Sequence, residues 1–150
     1  MLVHAGCAIP EEYLYDVERN NWVRLEQDGT ALLGMTDVAQ TMCGKIIALS
    51  FKPVGRAVPR GRTVVVIESA KWVGPFRTPL TGEIVETNGE AFERDPLIAN
   101  RDPYGEGWLI RIRPQQLEQE RAALVDGTVA FERFRELIDR EGISCMRCAD

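Results

Sequence analysis

Thr63-Val64-Val65-Val66-Ile67-Glu68-Ser69-Ala70-Lys71-Trp72-Val73-Gly74-Pro75 is the stretch that decides the fold. Its branched run, Val64 to Ile67, is the strongest extended-backbone signal in the chain. Gly74-Pro75 punctuates the sequence shortly afterwards, so Lys71 is expected in a tight turn projecting from a sheet. A lysine so placed is accessible to a modifying enzyme. The chain has three lysines against fifteen arginines, so few amines would compete with it. Its primary amine can be acylated, whereas a guanidinium stays protonated.

Outward from this stretch the pattern stays β. Upstream, Trp22-Val23-Arg24-Leu25 and Ala31-Leu32-Leu33 flank Asp28-Gly29, a hairpin signal. Thr36 is placed to cap a short helix that Gly44 ends. Residues 46–51 read as a strand, and Pro59 suits an edge or bulge because it has no donor for a ladder. Downstream, residues 83–86 and 108–112 read as further strands. Gly44-Lys45-Ile46-Ile47 and Gly82-Glu83-Ile84-Val85 share a pattern on either side of Lys71, as a duplicated or inverted β arrangement would produce. Short strands separated by Gly and Pro turns indicate a barrel or sandwich. Beyond Pro114 the composition favours helix, over residues 115–124 and 131–138, with Phe131, Phe134, Leu137 and Ile138 at helical spacing. Three segments are therefore expected: a surface lead-in at 1–20, the principal domain at 21–113, and a helical extension at 114–150 packed on or beside it.

Composition excludes several functions. A formal net charge of -5, with 18 basic residues scattered among 23 acidic ones, gives no nucleic-acid footprint. No apolar run is long enough to cross a membrane, and the N-terminal residues lack the regions of a secretion signal, so a cytoplasmic location is expected. In that compartment Cys7, Cys43, Cys145 and Cys148 are expected as free thiols or a redox pair rather than a disulfide framework. His4 stands alone, and no phosphate loop, catalytic acid pair or metal-ligand cluster is apparent. The chain is expected to be no enzyme, with no catalytic residue and no metal.

Val54-Gly55, Val58, Gly61, Glu68-Ser69, Lys71, Pro79, Gly82 to Glu86, Asn88, Leu97, Asn100 and Asp102 to Leu109 occur in an order that resembles the H protein of the glycine cleavage system. Trp22 to Glu26, Asp28 to Thr30, Gly34 to Asp37 and Ala39-Gln40 extend the likeness, which covers Asn21 to Arg113. The resemblance implies a mainly β barrel-sandwich hybrid, the lipoyl/biotinyl-type hammerhead, with short peripheral helices. It also implies lipoic acid attached covalently to Lys71 by lipoylation enzymes. Glu68, Ser69, Ala70, Trp72, Val73, Gly74 and Pro75 would support or identify that turn. A dithiolane on a lysyl arm exchanges thiol and disulfide states and so carries sulfur-bound groups between sites.

Two departures bear on partners. Trp72-Val73-Gly74-Pro75 replaces the family's usual small or polar residues after the carrier lysine, and Asn20-Asn21 replaces its usual His-Glu before the first tryptophan. Glu68 to Pro75 more closely resembles the lipoate-binding carriers of the heterodisulfide-reductase-like pathway of sulfur oxidation. That likeness implies shuttling of sulfur-bound intermediates to a heterodisulfide-reductase-like complex. Trp72, Val73 and Phe76 are expected to enlarge the apolar surface around the arm. The alternative is a glycine cleavage carrier of the aminomethyl intermediate, serving glycine decarboxylase, aminomethyltransferase and dihydrolipoyl dehydrogenase. A further alternative is a nonlipoylated interaction module. Cys43 is expected as a buried small hydrophobe. Cys145-Met146-Arg147-Cys148 has the spacing of a redox pair, here on a tail expected to be dispensable for folding.

Overall fold

The computed structural model describes residues 1–148 and contains no cis peptide bond among them. Its strands are β1 (Leu2–His4), β2 (Cys7–Ile9), β3 (Leu14–Asp16), β4 (Asn21–Leu25), β5 (Ala31–Met35), β6 (Ile46–Phe51), β7 (Ala57–Val58), β8 (Thr63–Ser69), β9 (Val73–Arg77), β10 (Gly82–Thr87), β11 (Ile110–Pro114) and β12 (Val125–Asp126). The helices are α1 (Asp37–Cys43), α2 (Gly89–Arg94), α3 (Ile98–Arg101), α4 (Leu117–Glu120) and α5 (Gly127–Glu141), with a 3-10 turn at Arg121–Ala123.

A seven-stranded antiparallel sheet runs β12-β3-β4-β5-β11-β10-β7, and a three-stranded sheet runs β6-β8-β9. Side chains alternate across a strand, so the large sheet buries both faces. Val23, Leu33, Ile84, Ile110 and Ile112 meet Val65, Ile67 and Phe76 of the small sheet in the main core. On the other side, Tyr15, Trp22 and Leu32 meet Phe134 and Ile138 of α5. Trp22 lies opposite Gly34 in the β4–β5 ladder, where any side chain at 34 would run into the indole. The expected Thr36 cap and Gly44 stop are both present: the Thr36 hydroxyl accepts from Ala39 N, and Gly44 leaves α1 with φ 83. Gly82 is where the Arg113 backbone leaves no room for a Cβ.

The chain ends differ from expectation. The surface lead-in foreseen at 1–20 instead supplies β1, β2 and β3, and Cys7, Ile9 and Tyr15 are buried. The helix foreseen at 115–124 shrinks to α4 and a 3-10 turn, because that segment has no buried face to stabilise it. The helical spacing of 131–138 is realised within α5, which Asp126 caps by accepting from Val129 N.

Candidate attachment site

The β8–β9 hairpin carries Lys71 at its tip. Ser69, only 6% exposed, fixes the turn: its hydroxyl donates to Cys43 O at 2.7 Å, and its amide donates to Trp72 O at 2.7 Å. Lys71 N donates to Ser69 Oγ at 3.3 Å, and Ala70 N donates to Lys45 O at 3.2 Å. The turn is thereby tied both to itself and to the end of α1. Glu68, Ala70, Lys71, Trp72, Val73 and Pro75 are exposed, and Gly74 is half-buried. The Lys71 ammonium makes no hydrogen bond or salt bridge among the described residues. Gly74 leaves space for the Trp72 indole, which any side chain there would strike. Lys71 lies across Gly44, where a Cβ would stand 2.9 Å from Lys71 Cε. Phe76 differs from expectation: it is 4% exposed and points into the main core, so the apolar rim of the turn is Trp72 and Val73, at 41% and 66%. Strand alternation explains the inversion, since Phe76 pairs with the buried Val65.

Beside the turn opens a cleft of about 370 Å³, walled by Met35, Met42, Cys43, Ile67, Trp72 and Pro75 among others. Cys43 is buried there, and burial pushes its thiol above the ordinary value, against weaker opposing effects of the Ser69 hydroxyl and the Lys71 charge. Asn20 and Asn21 complete the wall. Asn20 takes a left-handed conformation at φ 61 and accepts from the Thr36 hydroxyl, while Asn21 donates to Arg77 O at 2.7 Å. This pair therefore joins β4 to α1 and β9.

A second cavity, of about 280 Å³, lies on the Gly44 side and includes Gln40, Lys45, Asn100 and Cys148. Asn100, 2% exposed, holds its wall: Nδ2 donates to Gly44 O at 2.9 Å and to Gln40 Oε1 at 3.1 Å, and Oδ1 accepts from Ile46 N at 3.0 Å. The sequence contains Gly44 and Asn100 but nothing in their spacing signals that they meet below Lys71. The segment Asp102 to Trp108 packs away from the turn. Tyr104 OH donates to Ala8 O at 2.6 Å and accepts from Asp37 N, and Trp22 Nε1 donates to Pro103 O at 2.9 Å.

The cysteine expectation requires correction. Cys145 does not pair with Cys148 but forms a disulfide with Cys7, across 138 residues, and Cys148 is a free thiol. Folding brings the tail onto the β1–β2 hairpin, where Cys145 N donates to Ala5 O at 3.0 Å, and no short sequence spacing could announce that meeting. The tail is also an integral contact: Arg147 Nε approaches the buried Asp37 carboxylate at 3.2 Å, and Gln40 Nε2 donates to Met146 O at 2.8 Å. Among the described residues no group of three or more His, Cys, Asp or Glu is arranged to hold a metal, and no helix is long and apolar enough to cross a membrane.

The sequence model of the family described as Glycine cleavage H-protein matches residues 14–136, across both expected segment boundaries. Glycine cleavage system H protein 2 of Aquifex aeolicus is 42% identical over 142 residues, covering 95% of this chain and 88% of its own. Probable glycine cleavage system H protein 2 of Saccharolobus solfataricus is 44% identical over 152 aligned residues, covering 98% and 99%. The crystal structure of a glycine cleavage system H protein from Mycobacterium marinum matches with a TM-score of 0.69 at 26% identity, covering 90% of this chain and 100% of that one. The mainly β barrel-sandwich fold with short helices is the one this likeness describes.

Proposed function

Because the chain belongs to the glycine cleavage H-protein family, we propose that it is a lipoyl-carrier protein, not a catalyst, with Lys71 as the attachment residue. The observation that carries this reading is an exposed amine, free of polar partners among the described residues, on a turn that Ser69 fixes. These residues fit the group: the amine is open to acylation by lipoylation enzymes, and the apolar cleft beside Trp72 can cover part of an attached chain. Bound there, a lipoyl group supplies a dithiolane able to carry a sulfur-linked substituent. Lys71 anchors it, Ser69 holds the turn, and Gly44 gives the lysyl stem room to lie flat. Glu68, Ala70, Trp72, Val73, Gly74 and Pro75 are the residues a ligase would meet around the lysine.

The names of the relatives favour glycine cleavage as the pathway, with the aminomethyl intermediate as cargo. Its partners would be glycine decarboxylase, aminomethyltransferase and dihydrolipoyl dehydrogenase. A second reading, service to a heterodisulfide-reductase-like complex of sulfur oxidation, has one observation in its favour. Trp72 and Val73 stand exposed next to Lys71, a surface whose water would be released only against a matching apolar groove. The cytoplasm is the proposed location for either. Two reconstituted assays with singly lipoylated protein separate them: glycine-dependent transfer with the glycine cleavage enzymes, and sulfur-dependent reduction with a candidate reductase complex. Efficient glycine turnover without sulfur-linked activity supports the first reading and removes the second; the converse reverses that assignment.

A further inference from the structure

Three cysteines stand outside the attachment turn and its cleft. Cys7 is fully buried in β2 and bonded to Cys145, whereas Cys148 keeps its thiol. Cys145 and Cys148 are both partly exposed. The main chain seats Cys148 near the working end of the molecule: its amide donates to Asn100 O at 3.0 Å. Asn100 donates in turn to Gly44 O, and Gly44 lies against the Lys71 stem. Cys148, Asn100 and Gly44 share one cavity of about 280 Å³. A free thiol, separated by two residues from a disulfide-bonded cysteine, thus borders a cavity whose Gly44 wall lies against the Lys71 stem.

From this juxtaposition we infer that Cys145 and Cys148 form a dithiol–disulfide exchange centre that accepts an electron pair from a dithiol presented at Lys71. The identity of the donor rests on the lipoyl-carrier reading; the exchange among the three cysteines does not. In the first step the Cys148 thiolate attacks Cys145 Sγ. The Cys7–Cys145 bond breaks, a Cys145–Cys148 bond forms, and Cys7 leaves as a thiolate that takes up the proton Cys148 gave away. This step is an isomerisation and needs no oxidant. The two-residue spacing is that of a redox pair, and closing the new disulfide requires residues 145–148, now held by Ala5 O and Asn100 O at their two ends, to turn back on themselves. In the second step a donor thiolate attacks Cys148 Sγ and Cys145 leaves as a thiolate. The donor's second thiolate then attacks the donor sulfur bonded to Cys148 and releases it. The donor ends as a cyclic disulfide, oxidised by two electrons, and the cysteine pair ends as two thiols, reduced by two. The reason for the relay is access. Cys7 is sealed in the core, so its sulfur bond is opened from the exposed Cys145 side, and Cys148 is the nucleophile already beside it in sequence.

The test follows the disulfides themselves. Unmodified full-length protein and its Cys148→Ser variant, both starting with Cys7–Cys145 closed, are exposed to free dihydrolipoamide, quenched in acid, alkylated and peptide-mapped over time. Expected is a Cys145–Cys148-linked tail peptide in the wild type alone, with loss of the Cys7–Cys145 link at least about tenfold faster than in the variant. Equal rates without that peptide overturn the exchange. In parallel, protein shown by mass to be lipoylated at Lys71 is treated with dihydrolipoyl dehydrogenase and NADH to reduce the arm, beside Lys71→Arg protein. Opening of Cys7–Cys145 in the lipoylated chain only is the expected result. A link that stays closed beside a reduced arm overturns the transfer while leaving the carrier reading intact. Absence of a lipoyl group on Lys71 in native protein removes the carrier reading and the donor named here, while the dihydrolipoamide arm still decides the exchange.

Discussion

Ser69 is the side chain on which the geometry of Lys71 depends, because one buried hydroxyl serves Cys43 O, Trp72 O and the Lys71 amide. Ser69→Ala should leave the Cys43 carbonyl without that donor and cost about 1–2 kcal/mol. It should also slow lipoylation by loosening the turn. Urea unfolding together with the mass shift per unit time under a lipoyl ligase reads both; unchanged stability with unchanged modification would exclude this role. Titration provides a second prediction at this scale. Burial raises the Cys43 thiol above its ordinary 9.0, and it raises the Tyr15 and Tyr104 phenols above their ordinary 10.0. Folding favours the neutral form of each, so the unfolded chain releases these protons first. Their stabilisation is fully present below the unfolded values and is lost progressively as pH rises above them towards the raised folded values. Thermal midpoints measured between about pH 8 and about pH 11 should therefore fall with increasing steepness above roughly pH 9. A midpoint that rises over this range would contradict the neutral burial of these groups.

The hairpin and the tail were unequally legible as elements. Four branched residues at Val64 to Ile67 are a local signal that β8 follows closely, whereas Gly74-Pro75, expected as turn punctuation, lies inside β9 opposite Ile67 and Val66. Phe76 was not legible in the same way, because its facing depends on register with β8 rather than on composition. The contacts of the tail are not legible in the sequence, since all are distant along the chain: Cys7, Asp37, Gln40 and Asn100 receive it. Ending the chain after Glu141 is now expected to destabilise it. The truncation removes a disulfide spanning 138 residues and strips Arg147 from a carboxylate that is 1% exposed. Removing a disulfide of this kind costs roughly 2–4 kcal/mol. Denaturant unfolding of the truncated and full-length proteins under non-reducing conditions measures the difference. Identical midpoints would show that the tail contributes nothing to the fold. At the same scale, Trp72→Ala with Val73→Ser should leave the hairpin folded, since both side chains are exposed, yet change which partner enzyme accepts the carrier. Unchanged turnover with both partner systems would remove the apolar rim from any account of specificity.

The two larger of the three sheets form a frame that holds one lysine out on a fixed turn, with an apolar cleft on one side and a polar, cysteine-bearing cavity on the other. The apolar runs Trp22-Val23 and Leu32-Leu33 on either side of Asp28-Gly29 foretold the β4–β5 hairpin, and their consecutive apolar residues suit a sheet that buries both faces. The position of Lys71 was equally legible, since a turn beyond a strong strand is a local property. What surrounds it was not: Gly44, Asn100 and Cys148 come together only through packing of α1, α3 and the tail. The same frame gives the three lysines different settings, and only Lys71 stands at the tip of the β8–β9 hairpin. Whether Lys71 is the attachment residue proposed above is decided by intact-mass analysis of protein from its native source, followed by peptide sequencing. One lipoyl group per chain, amide-linked to Lys71, is the expected result; a lipoyl group on Lys45 or Lys52, or a chain that is never modified, would rule out Lys71 as the attachment residue.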